Sequence, residues 1–154
     1  MAPTRAAPPE GYNFPVLTGR VVDDANILAA DDEAKLSAQS EQLEDATGHQ
    51  LVVVTIRHLG GHNIDEYGTK LGNYWGIGRK NINDGVLVVL APDELKVRIS
   101  VGKGLETVLT NGEAGAIIQH DMLPAFRDNR LPAGIQRGVT SIVRELSPGL
   151  EKAA

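Results

Sequence analysis

The sequence predicts a three-layer α/β/α sandwich: a mixed central sheet of about four strands with helices on both faces. Three observations carry this. Two short runs, "QLVVVTI" (50–56) and "GVLVVLA" (85–91), are apolar on both sides and too short for globular helices, so they read as buried strands. Segments with helical spacing separate and follow them. A third run, "LKVRISV" (95–101), alternates apolar and polar residues as a half-exposed strand does.

In chain order, "GRVVDDANIL" is a short apolar stretch followed by acids. A helix fits Asp31 to Thr47, with Asp31, Asp32 and Glu33 at its positive N-terminal end, Leu36 and Leu43 on one face, and Gly48 as its stop. After the strand at 50–56, "LGGHN" is a turn. Asn63 and Glu66 have capping-box spacing and open a helix that carries Ile64, Tyr67, Leu71 and Trp75 on one face. Gly68 and Gly72 on that helix permit close approach to a neighbour. The strand at 85–91 and the alternating strand flank the turn Pro92-Asp93-Glu94, as in an antiparallel hairpin.

Thr110 and Glu113 have capping-box spacing before a helix striped by Ile117, Ile118 and Met122, which Pro124 ends or kinks. The last helix has Pro132 near its first turn, an apolar stripe of Ile135, Val139, Ile142, Val143 and Leu146, and Pro148-Gly149 as terminator. The first two long strands are joined through a helix and should run parallel.

The 154 residues suit one domain. Residues 1–13 read as a flexible leader, 14–147 as the domain and 148–154 as a loose tail. A net charge of −5 argues against nucleic acid as a partner, because no overall basic field would draw in phosphates. The absence of cysteine excludes disulfides, thiolate metal sites and a cysteine nucleophile. No apolar run approaches the ~18 residues that cross a bilayer.

The stretch "WGIGRKNINDGVLVVLA" (75–91) combines glycines and cations beside a buried strand. Its order, helix then loop then strand, is the reverse of a phosphate-binding loop, which follows a strand and opens a helix. It is no EF-hand either, since the twelfth position counted from Asn81 is Pro92 instead of a bidentate acid. The histidines at 49, 58, 62 and 120 show no zinc-site spacing, and no serine sits in a nucleophile elbow.

Hard-cation chemistry remains. Calcium takes six to eight oxygens from carboxylates, amides and carbonyls. Candidate donors are Asp23 after the first apolar stretch, Asn83 and Asp84 before the central strand, and Glu106 and Asn111 after the third. Arg79 and Lys80 are candidate anion-binding cations. Each has a plainer alternative. Asp23 can lead into a helix, Asn83-Asp84-Gly85 can be a turn, Asn111 can belong to a helix cap, and Arg79 and Lys80 can be solvated. Arg98 can be an exposed cation or an anchor for those acids.

The segments "FPVLTGRVVDDANIL", "TGHQLVVVTI", "YWGIGRKNINDGVLVVLAPDELKVRISVGKGLETVLTNGEAGAII" and "LPAFRDNRLPAGI" together resemble the TPM domain from about Phe14 to Leu146. That family includes plant thylakoid-lumen proteins, exported bacterial proteins and a worm modulator of acetylcholine receptors. The resemblance implies an α/β sandwich in an extracytoplasmic setting, with any signal peptide or anchor outside this segment. It implies calcium as a cofactor and a membrane-protein partner for an interaction module. Its alternative is a metal-dependent acid phosphatase acting on phosphate monoesters. Asp23 and Glu106 match the family pattern. The family usually reads Asp-Asn-Gly where this chain has Asn83-Asp84-Gly85, Glu at Ser100 and Asp at Asn111. These departures lower the charge available to compensate a cation.

Overall fold

The computed structural model describes residues 7–147. Its elements are β1 (Val21–Asp23), α1 (Ala30–Thr47), β2 (Gln50–Thr55), α2 (Ile64–Trp75), β3 (Gly85–Ala91), β4 (Lys96–Val101), α3 (Asn111–Ile117), α4 (Leu123–Arg127) and α5 (Leu131–Leu146). The sheet order is β1-β2-β3-β4. β1 and β3 each run parallel to β2, and β4 pairs antiparallel with β3 as the outer strand. The expected mixed four-stranded sheet is present, and the Pro92-Asp93-Glu94 turn closes its hairpin.

The strand pattern explains the layers. Every residue of β3 and all but the first of β2 are buried, so both faces of these strands need cover. On one face Leu51, Val53, Val86, Val88, Leu90 and Ile99 pack against α1, α3 and α5. On the other, Val52, Val54, Leu87 and Val89 pack against α2 through Tyr67, Leu71 and Trp75.

α2 alone cannot cover that second face. The N-terminal segment completes it. Tyr12, Phe14 and Leu17 join the α2-side core. The Tyr12 ring stacks on His62 with centroids 3.8 Å apart, and Phe14 meets Tyr67 edge-on at 5.2 Å. The Trp75 indole N–H donates to the Pro15 carbonyl at 3.1 Å. The N-terminal segment is therefore a strap across the α2 layer.

The strap also corrects one cap. Asn63 accepts from the amides of Asp65 and Glu66, as its capping role requires. The returning arm of the expected box is missing, because Glu66 instead accepts from the Tyr12 hydroxyl at 2.6 Å. That bond, then burial and the Glu66 charge, push the Tyr12 phenol up to about 12. The Thr110–Glu113 box forms in both directions, at 3.1 and 2.9 Å.

The helix expected to run on from Thr110 is interrupted before Pro124. Residues Ile118–Met122 form one π turn, with the Leu123 amide donating to Ile118 five residues back. A proline ring crowds the carbonyl four residues earlier, and the wider turn relieves that crowding. Met122 is thereby driven against Gly134 and Gly138 of α5. The expected terminator Pro148-Gly149 lies outside the described residues.

Replacing Phe14 with alanine removes the strap's edge-on ring contact. Phe14 is half-buried, so the expected cost is about 2 kcal/mol, near half that at a fully buried site. Urea unfolding of wild type and variant measures it, and an unchanged midpoint would show that the strap adds no stability.

Candidate functional site

The loop between α2 and β3 is built around one charge. Asp84 is 1% exposed and has left-handed Asn83 before it (φ 55°), a conformation asparagine tolerates. That turn aims the Asp84 carboxylate back into the loop. It accepts from the Arg79 amide at 2.8 Å, from Arg79 Nε at 2.9 Å and Nη2 at 2.6 Å, and pairs with His49 Nδ1 at 3.0 Å. Burial by itself would push the pKa of this carboxyl up. The Arg79 and His49 hydrogen bonds outweigh burial and hold it well below the usual carboxylate range. With Asp84 ionised, Nδ1 of His49 is the donor. Nothing in the sequence marked His49 as a partner, since 35 residues separate the two.

Asp23 is also committed, at the opposite end of the sheet. It pairs with Thr55 where β2 ends, whereas Asp84 precedes Gly85, which pairs with Gln50 where β2 begins. At about 3.3 Å per residue, β2 separates the two acids by ~17 Å. Asp23 accepts from the Ile27 and Leu28 amides at 3.1 and 2.9 Å and from the Thr55 hydroxyl at 2.7 Å, which folds the chain toward α1.

The remaining three candidates converge. Asn83, Glu106 and Asn111 line a cavity of about 490 Å³ between α2 and β4. Its walls include Gly68, Thr69, Gly72 and Asn73 of α2, Leu87 of β3, and Arg98 and Ser100 of β4, with Lys103 at the same end as Glu106. Leu87 and Val89 face α2, and their β4 partners Ser100 and Arg98 share that face. The inner layer of the sheet thus turns polar at its outer strand.

Two glycines shape the cavity. α2 approaches β4 so closely at Gly68 that a Cβ there would lie 2.7 Å from Ser100 Oγ. In the loop after β4, a Cβ on Gly104 would run into the Ile82 carbonyl, and the Gly104 amide donates to the Asn83 carbonyl at 3.0 Å. The loop after β4 is thereby pinned to the loop before β3.

The donor set fits an ordinary calcium site poorly. Glu106 is the one carboxylate on the cavity wall, which also carries the cations Arg98 and Lys103. Among the described residues no group of three histidine or acidic side chains is placed to hold a metal ion. Arg79 is tied to Asp84, and neither it nor Lys80 lines the cavity. Arg98 and Ser100 instead supply unused hydrogen-bonding capacity. Arg98 Nε and Ser100 Oγ are buried without a hydrogen-bond partner, although Arg98 forms a longer ion pair with Asp65 of α2 at 3.6 Å. Polar residues on the α2-facing side of a strand in a three-layer fold were the sequence signal for this lining.

Fold and cavity together define an α/β domain with a polar pocket at the edge of its sheet. The TPM domain family matches residues 21–145, and the chain belongs to that family. The N-terminal domain of a protein from P. gingivalis is 30% identical, with 87% of this chain and 85% of that chain covered and a TM-score of 0.80. A Corynebacterium glutamicum N-terminal domain is 15% identical over 96% of this chain and 86% of that one, with a TM-score of 0.67. The BA42 protein of the psychrophile Bizionia argentinensis is 16% identical over 80% and 83%, with a TM-score of 0.65. These last two share the fold. A search of curated proteins returns no match.

Asp84→Asn leaves Arg79 and His49 facing a neutral amide and should cost about 1–3 kcal/mol. Because the folded carboxyl is held low, its contribution is fully present above the unfolded value near ~4 and fades as pH falls below it. Urea midpoints should accordingly converge for wild type and variant as pH drops from 5 toward 2. A pH-independent gap would contradict the ionic account.

Proposed function

We propose that this TPM domain is a non-catalytic binding module of extracytoplasmic proteins, with the α2–β4 cavity as its ligand site. The observation that carries it is the convergence of Asn83 before β3, Glu106 after β4 and Asn111 at the start of α3 on a pocket that also holds Arg98, Ser100 and Lys103. Such a lining suits a small polar ligand with an anionic group directed at Arg98 or Lys103 and amides that fix its orientation. A membrane-protein partner fits an interaction module of this kind. No helix among the described residues is long and apolar enough to cross a membrane.

Calcium is a weaker fit. A doubly charged ion held by Glu106, Asn83 and Asn111 would have one carboxylate to balance it and two cations nearby. Affinity in oxygen sites follows ligand charge, so binding of ~1 mM or weaker is expected. Phosphate-ester hydrolysis has less support still. The Ser100 hydroxyl has no base within hydrogen-bond distance, and the His49–Asp84 pair is not on the cavity wall.

The test is a titration of the isotope-labelled chain with malonate, inorganic phosphate and calcium in turn, followed by amide shifts. The anions should perturb Asn83, Arg98, Lys103 and Asn111 and leave Asp23 unmoved. Saturation by calcium below 0.1 mM, or anion shifts centred elsewhere, would overturn the reading. Hydrolysis of p-nitrophenyl phosphate should match buffer background for wild type and Ser100→Ala alike. Turnover that the substitution abolishes would restore the enzyme reading.

A further inference from the structure

Asn111 differs from every other asparagine in the chain, because it alone is followed by glycine. An asparagine side-chain amide is open to attack by the backbone nitrogen of the next residue, and a Cβ on that residue hinders the approach. Gly112 has none, and a Cβ built there would meet only the Thr110 hydroxyl, at 3.9 Å. Asn111 and Gly112 are both exposed, so water reaches them.

The hydrogen bonding leaves both reacting groups free. Among the described residues nothing bonds the Asn111 side chain or the Gly112 amide. That amide is one of the N–H groups that the first turn of a helix leaves without a partner. The other asparagines are held or shielded. The Asn63 side chain caps α2 through two amides. The amides that follow Asn26, Asn81 and Asn129 donate to Asp23, to the Arg79 carbonyl and to the Ala125 carbonyl. Asp84, after Asn83, is 1% exposed, and Asn13 and Asn73 precede aromatic residues.

One local structure opposes the reaction. The Gly112 nitrogen reaches Asn111 Cγ only when Asn111 turns out of its helical backbone conformation. That turn breaks the Thr110–Glu113 box and the 2.9 Å bond from the Ala114 amide to the Thr110 carbonyl. α3 has only seven residues, so few other bonds resist its fraying.

We propose that Asn111 is a deamidation site, that the Thr110–Glu113 box is its brake, and that the product lowers the cavity's affinity for anions. The Gly112 nitrogen gives its proton to water and bonds to Asn111 Cγ. The Cγ–Nδ2 bond breaks, and Nδ2 departs as ammonia. Water then opens the cyclic imide at either carbonyl, leaving aspartate or isoaspartate at position 111. The net change is one water consumed, one ammonia released and one negative charge gained. Asn111 lines the cavity with Glu106, so the wall then carries a second acid against Arg98 and Lys103. The modification stands on local geometry alone, whereas its effect on ligands rests on the binding-module reading above.

The test incubates the whole chain at pH 8 and at pH 6 and maps its peptides by mass spectrometry. Asn111 should gain the mass difference of OH over NH2 faster than any other asparagine. The gain should be faster at pH 8, because the attacking nitrogen must lose a proton. Thr110→Ala should speed it about fivefold, the factor a typical helix cap supplies, and Gly112→Ala should suppress it. Malonate should bind Asn111→Asp about threefold more weakly than wild type. Conversion no faster than at other asparagines, an unchanged rate in Thr110→Ala, or equal malonate affinity for Asn111→Asp and wild type overturns the proposal. Wild type that binds no malonate would instead remove the cavity reading and the ligand effect with it, while the mass gain still decides the modification.

Discussion

The buried Asp84 carboxylate is the constraint on which this end of the molecule depends. A charge that is 1% exposed is tolerable only when its acceptor capacity is filled, and here a backbone amide, two guanidinium nitrogens and an imidazole fill it. Those bonds close the loop from Arg79 to Asp84 on itself. The closed loop fixes where the Asn83 carbonyl points, and that carbonyl receives the Gly104 amide. The position of the chain after β4, and of Lys103 and Glu106 with it, therefore follows from an ion pair that does not touch the cavity. Arg79 is 43% exposed, so its charge stays partly hydrated while its fork is used internally.

The cavity is a consequence of unequal cover on the two sheet faces. Four helices and a π turn share one face with the larger part of the core. The other has one helix and the N-terminal strap, and the strap lies with the α2-side cluster that includes Val22, Val52 and Val54. α2 is left to cover β3 and β4. It touches the sheet closely at Gly68, but Gly72 has only Leu87 in ordinary contact range. The space that opens toward Asn73 and Asn83 is lined by β4 side chains that an apolar core could not accept. Arg98 and Ser100 are thus the physical reason for a pocket here, as well as its wall.

Much of this fold was legible in the sequence, because it rests on local signals. Period and residue type marked β2, β3 and β4, and caps at Asn63 and Thr110 marked where α2 and α3 begin. Three things were not legible, each for a tertiary reason. The strap has no periodicity of its own, and its order comes from Phe14 meeting Tyr67 and the Pro15 carbonyl meeting Trp75, residues far apart in the chain. Glu66 sits at box spacing, yet Tyr12 competes for it and wins. The five presumed metal ligands were grouped as residues at strand ends, and spacing does not say which end. Once β1 and β3 both run parallel to β2, Asp23 falls at the far end from Asp84.

Charge separates this chain's cavity from the one its family resemblance leads one to expect. That resemblance puts acids at positions 83, 100 and 111, and here they are Asn83, Ser100 and Asn111, leaving Glu106 alone. The exchange at 83 and 84 is more than a swap of equivalents. Position 83 lines the cavity, whereas position 84 faces Arg79 and His49, so in this chain the acid of the pair is structural and the amide is on the cavity wall. Arg98 and Lys103 then outnumber the acid on the wall. That composition supports the proposed anionic ligand, although Arg98 also pairs with Asp65 of α2 at 3.6 Å. The loop depends on the carboxylate at 84, which faces Arg79 and His49, and the cavity wall depends on the side chain at 83.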